Sequence, residues 1–150
     1  MNETTEEQPV LHLSRVIAAS PERVFAAWTT PEDIKVWFGP ATCRVLEAHV
    51  NLRVGGEFCF HLLTERFGEI KLNGQYRVIT PPSKLVYTWQ WEGTPELADE
   101  SSLVTVDFIP SGDSTEIRLR HEQLPSVQAR DSHTEGWNGT LDKLQNYLTD

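Results

Sequence analysis

The sequence predicts an α+β domain in which a curved, seven-stranded antiparallel sheet wraps one long C-terminal helix and two short helices follow the first strand. Three observations carry this. Seven short runs alternate apolar with polar residues and are separated by turn residues. Two proline-led helix starts, Ser20-Pro21-Glu22 and Thr30-Pro31-Glu32-Asp33, follow each other closely. Near the end, Trp137, Leu141, Leu144 and Leu148 fall on one stripe of a single long helical segment.

In chain order, residues 1–9 read as an acidic, polar tail, and residues 10–150 as one domain. Leu11 and Leu13 alternate with polar partners in a first strand over residues 10–18. Ser20 can cap the first free amides of a helix, and proline suits the first helical position. Val24, Phe25 and Trp28 then share a face. The second helix presents Ile34, Trp37 and Phe38 and is stopped by Gly39-Pro40.

A strand over residues 42–50 is followed by the turn Val54-Gly55-Gly56 and a strand over 57–63 with Phe58, Phe60 and Leu62 on one face. Pairing these two brings Cys43 and Cys59 to roughly opposite positions, with reduced thiols as the expected state. Residues 69–79 place Leu72, Tyr76 and Val78 at even positions. Asn73-Gly74 is a hairpin signal, but a hairpin would leave a very short first arm, so a glycine bulge in one long bent strand is preferred.

After Thr80-Pro81-Pro82-Ser83, a strand over 84–91 puts Leu85, Tyr87, Trp89 and Trp91 on one face. An acidic loop over 92–100 leads to strands over 103–109 and 115–121. In the last strand Thr115, Ile117, Leu119 and His121 face one way while Glu116, Arg118 and Arg120 face the other, a half-buried strand with a wet back. Pro125 opens the final helix. Four apolar side chains buried there, at about 1.5–3 kcal/mol each, outweigh two helical glycines. Gly136 is expected where the sheet edge approaches the backbone, and Gly139 on the outer face.

The chain has 150 residues, enough for one hydrophobic core without disulfides or metal. Its formal net charge of −9 argues against nucleic acid and against anionic membrane surfaces as partners, since both are held by Lys and Arg. No apolar run approaches a membrane span, and the start lacks the basic and apolar regions of a secretory signal, so the expected location is the cytoplasm. The histidines His12, His49, His61, His121 and His133 show no zinc-ligand spacing, and no G-x-S-x-G is present. No metal, cofactor or catalytic constellation is expected.

The stretch Ser20-Pro21-Glu22-Arg23-Val24-Phe25-Ala26-Ala27-Trp28, with Trp37-Phe38-Gly39-Pro40 after it, resembles the start of the helix-grip superfamily, which includes lipid-transfer (START-like) domains, the birch-pollen allergen fold and polyketide cyclases. Val54-Gly55-Gly56-Glu57-Phe58, Gly74-Gln75-Tyr76-Arg77-Val78, Leu85-Val86-Tyr87-Thr88-Trp89, and His133 with Gly136-Trp137 narrow it. In this order they resemble the branch named for the activator of the ninety-kilodalton heat-shock chaperone ATPase, in its C-terminal domain. The resemblance covers roughly residues 10–149. It implies a helix-grip sheet with an apolar cavity between sheet and helix, and no single activity. The co-chaperone resembled also has a separate N-terminal domain that does much of the chaperone binding.

Within that implied fold, Trp37, Phe60, Tyr76, Trp89, Trp91, Phe108 and Trp137 point inward, as solid core or as the lining of the cavity. His121 and His133 lie toward the apolar side where the last strand meets the last helix, as structural histidines or as hydrogen-bonding or acid–base groups at the cavity mouth. Arg130, on the same stripe, either meets a ligand carboxylate or phosphate or reaches solvent while its stem packs. The leading expectation is a small apolar or amphipathic ligand, bound by a monomer or homodimer. A chaperone-binding surface is the alternative, and a cyclase- or hydrolase-like enzyme using His121 or His133 ranks last.

Overall fold

The computed structural model describes residues 9–92 and 101–148. The tail and the acidic loop expected at residues 1–9 and 92–100 therefore lie almost wholly outside the described residues. The element order is β1 (Leu11–Ile17), α1 (Pro21–Thr29), α2 (Pro31–Trp37), β2 (Cys43–Val50), β3 (Glu57–Thr64), β4 (Gly68–Thr80), β5 (Lys84–Glu92), β6 (Ser102–Ser111), β7 (Ser114–Glu122) and α3 (Val127–Leu148). The strands form one antiparallel sheet in the order β1-β7-β6-β5-β4-β3-β2. The expected architecture is present in full.

Local chemistry explains the helix ends. The Ser20 side chain accepts from the Arg23 amide at 3.2 Å, and Pro21 opens α1. Asp33, in the first turn of α2, takes two hydrogen bonds from the Arg23 guanidinium and one from the Tyr147 hydroxyl. One carboxylate so joins α1, α2 and α3. The last helix starts two residues beyond Pro125: Ser126 is its cap, accepting from the Ala129 amide at 3.0 Å.

Two irregularities bend the sheet, one between Val45 and Glu47 in β2 and one between Tyr76 and Val78 in β4. The second corrects two expectations. Asn73-Gly74 lies inside one continuous strand, as preferred, but the register slips beyond it. The slip turns Val78 outward, so it does not share the inner face of Leu72 and Tyr76. Gly74 has a different role. A Cβ there would meet the Thr88 carbonyl oxygen at 2.1 Å and the Phe58 ring at 2.4 Å, so the chain passes where only glycine fits.

The cysteine expectation also changes. Cys43 pairs with Thr64 and Cys59 with His49, which separates them by about 17 Å along the ladder. Both are free thiols. The helical glycines exchange roles: a Cβ at Gly139 would lie 3.0 Å from Pro40 Cβ, whereas nothing lies within 4 Å of one at Gly136. Gly139 is the close approach, made to the turn after α2 and not to the sheet.

Candidate functional site

On the inner face, three adjacent strands and α3 converge on two histidines, His121 fully buried and His133 half-buried. Trp89 and Trp91 come from β5, Ser102 from β6, His121 from β7, and His133 and Trp137 from α3. The rings of His121 and His133 are 5.1 Å apart and both stand edge-on to Trp89.

The hydrogen bonds determine the state of each imidazole. An indole N–H only donates. Trp137 Nε1 donates to His121 Nδ1 at 3.2 Å, so the His121 proton is on Nε2 and goes to Ser102 Oγ, 2.7 Å away. Ser102 donates in turn to the Trp89 carbonyl at 3.2 Å. Trp91 Nε1 donates to His133 Nε2 at 3.0 Å, so His133 donates from Nδ1 to the Ala129 carbonyl at 2.8 Å. Both rings are neutral and all four imidazole nitrogens are used. Burial, followed by the neighbouring His133, pushes His121 down to about 2. Burial also lowers His133, against the opposing hydrogen bond to Ala129.

This arrangement has a chemical consequence. Ser102 and His121 are close enough to suggest a nucleophile and its base, but Nε2 carries a proton and gives it to the serine. His121 in this tautomer cannot accept the hydroxyl proton. The geometry holds strands and helix together and offers no general base. Among the described residues no group of His, Cys, Asp and Glu gathers to hold a metal ion.

The open cavity expected between sheet and helix is nearly filled. What remains is a void of about 10 Å³, lined by Trp28, Phe38, Phe58, Phe60, Tyr76, Leu85, Tyr87 and Trp89. It admits one water molecule at most. It lies beneath α1 and the α2–β2 link, with no α3 residue in its wall. Trp137 of α3 packs against two residues of that wall, with its ring 5.1 Å from Trp89 and 6.2 Å from Trp28.

The void's wall carries polar atoms. Trp28 Nε1 donates to the Tyr87 hydroxyl at 3.1 Å. Burial raises the phenols of Tyr76 and Tyr87 well above their ordinary value, so both are protonated donors. Trp89 Nε1 is the one buried side-chain N or O atom among the described residues with no hydrogen-bond partner.

Of the expected site residues, Phe60, Tyr76 and Trp89 line the void, and Trp91, His121, His133 and Trp137 form the paired cluster beside it. Trp37 and Phe108 are fully enclosed core: Trp37 Nε1 is spent on the Ala27 carbonyl, and Phe108 packs on Phe25 and Trp28. Arg130 stands apart, half-exposed, in an ion pair with Asp131 at 3.2 Å. The expectation missed Trp28, Phe38, Phe58, Leu85, Tyr87 and Ser102. Leu85 and Tyr87 had a visible signal, since they share the alternating face of Trp89.

A family model described as "Activator of Hsp90 ATPase homolog 1-like protein" matches residues 18–149. Among solved structures, the AHSA1 protein of Silicibacter pomeroyi is similar at 26% identity and a TM-score of 0.80, with 93% of this chain and 97% of that one covered. A Chromobacterium violaceum protein gives 23% identity and 0.79, with 95% and 99% covered. An AHSA1-like protein of Aeromonas hydrophila gives 22% and 0.74, with 92% of each chain covered. No curated protein matches the chain.

Proposed function

This chain belongs to the Activator of Hsp90 ATPase homolog 1-like protein family, and from that premise we propose that it binds a small, mainly apolar molecule in its aromatic interior. The observation that carries the proposal is the wall of the void: seven aromatic side chains and one leucine, drawn from α1, the α2–β2 link, β3, β4 and β5. Rings supply large apolar area and can part by turning about their side-chain bonds.

The unliganded interior is closed, so binding opens it. Phe38 is best placed to move. It sits just after α2, on the link to β2, and its ring touches Phe60, Trp89 and Trp137 edge-on or tilted. Swinging it outward breaks no strand pairing. No described helix is long and apolar enough to cross a membrane, and a cytoplasmic setting is part of the same reading.

The test is a melting scan against a panel of lipids and aromatic metabolites. A ligand at a hundredfold its Kd adds about 2.7 kcal/mol, which for this size raises Tm by roughly 5–10 °C. No rise across the panel contradicts the proposal.

The small size of the void favours a second reading, a protein-binding module that works through its surface, with a chaperone as partner in line with the family's description. It predicts salt-sensitive association with the chaperone that a Trp89→Ala variant, if folded, leaves unchanged.

A further inference from the structure

Four of the five tryptophans spend their indole N–H on a protein acceptor: Trp28 on Tyr87, Trp37 on Ala27, Trp91 on His133 and Trp137 on His121. Trp89 does not, and Trp89 is 5% exposed and part of the wall of the void. The Tyr87 hydroxyl already accepts from Trp28, and no acceptor for its own proton is found among the described residues. The Tyr76 hydroxyl is not a buried orphan of this kind; among the described residues Trp89 Nε1 alone is. The wall therefore offers a donor in excess. An unsatisfied buried donor is costly to keep.

Resting on the reading that the aromatic interior takes a small molecule, we infer that this molecule is neutral and carries one acceptor oxygen, as in a ketone, aldehyde or ester, on an otherwise apolar body. Trp89 Nε1 is the donor that meets the oxygen, with Tyr87 in the same wall. A carboxylate is disfavoured, because no cation lines the void and Arg130 is held outside by Asp131. An amine is disfavoured because the wall holds no carboxylate.

The experiment compares acetophenone with α-methylstyrene, which has the same shape with a CH₂ group in place of the carbonyl oxygen. Affinities are read by NMR titration on the full chain and on Trp89→Phe. The expected result is that acetophenone binds the wild type at least about tenfold more tightly, the worth of one good hydrogen bond, and that Trp89→Phe removes the preference. If that variant fails to fold, the wild type still decides: the Trp89 indole proton should move downfield with acetophenone and not with α-methylstyrene. Equal binding of the two probes in the interior overturns the acceptor inference and leaves the apolar site standing. A carbonyl preference that survives in Trp89→Phe, or an unmoved Trp89 proton, overturns the assignment to Trp89. Binding of neither probe overturns both.

Discussion

Trp89 divides the interior into two regions that handle polar atoms differently. On the α3 side, its carbonyl ends a chain that runs from Trp137 through His121 and Ser102, and a second chain joins Trp91 through His133 to Ala129. Donors and acceptors balance there. Around the void, whose wall includes Trp89, the Trp89 indole N–H has no partner among the described residues and the Tyr87 hydroxyl accepts from Trp28. Buried polar networks that are fully satisfied stabilise and specify a fold. Those that are not are most readily understood as places kept for something else. The two histidines, which a sequence reader would pick first as functional, belong to the first kind.

The largest expected effect tests the balanced side. His121→Ala strands the Trp137 indole and removes the partner of Ser102, besides leaving a hole. The expected loss is about 3–5 kcal/mol, read from urea unfolding at neutral pH. A loss under about 1 kcal/mol would show that the network is not holding α3 to the sheet.

Acidification is the next largest. Unfolded, His121 titrates near its ordinary 6.5; folded, burial and His133 hold it to about 2. Because the folded value is depressed, the neutral ring's contribution is whole above about pH 6.5 and is lost as pH falls toward the folded value. At roughly 1.4 kcal/mol per pH unit, stability should drop by about 2–3 kcal/mol between pH 6.5 and 4.5. His121→Gln, which keeps a donor and an acceptor but does not titrate, should flatten that slope. An equal slope in the variant would assign the acid sensitivity elsewhere.

The smallest effects sharpen the contrast at the void. Tyr87→Phe removes the acceptor of Trp28 Nε1 and should cost about 1–3 kcal/mol. Tyr76→Phe leaves that bond in place and should fall within about 0.5 kcal/mol of the wild type. Equal losses for the two would mean that the Tyr76 hydroxyl is held as firmly as that of Tyr87 and would remove the contrast.

The architecture was legible because its signals are local and repeated. The alternation of Thr115, Ile117, Leu119 and His121 is the observed buried face of β7, and Pro21 and Pro31 open the observed helices. Register was less legible. A single slip between Tyr76 and Val78 reverses a face, and the offset of β2 against β3 parts Cys43 from Cys59. The glycines were read the wrong way round because a helical wheel shows direction but not distance, and Pro40 reaches Gly139 from a turn almost a hundred residues earlier. The site was legible only in its aromatic content. Whether seven rings leave a pocket or a void the size of one water depends on their mutual tilt, which no spacing encodes.

The central claim is that this closed aromatic interior opens to a small apolar guest, and the indole signals of the five tryptophans test it most directly. With acetophenone titrated in, the account predicts that Trp28 and Trp89, in the wall of the void, shift most, and that Trp91, held by His133 outside it, shifts least. No movement of any indole up to the solubility of the probe, or the largest movement at Trp91, would contradict it.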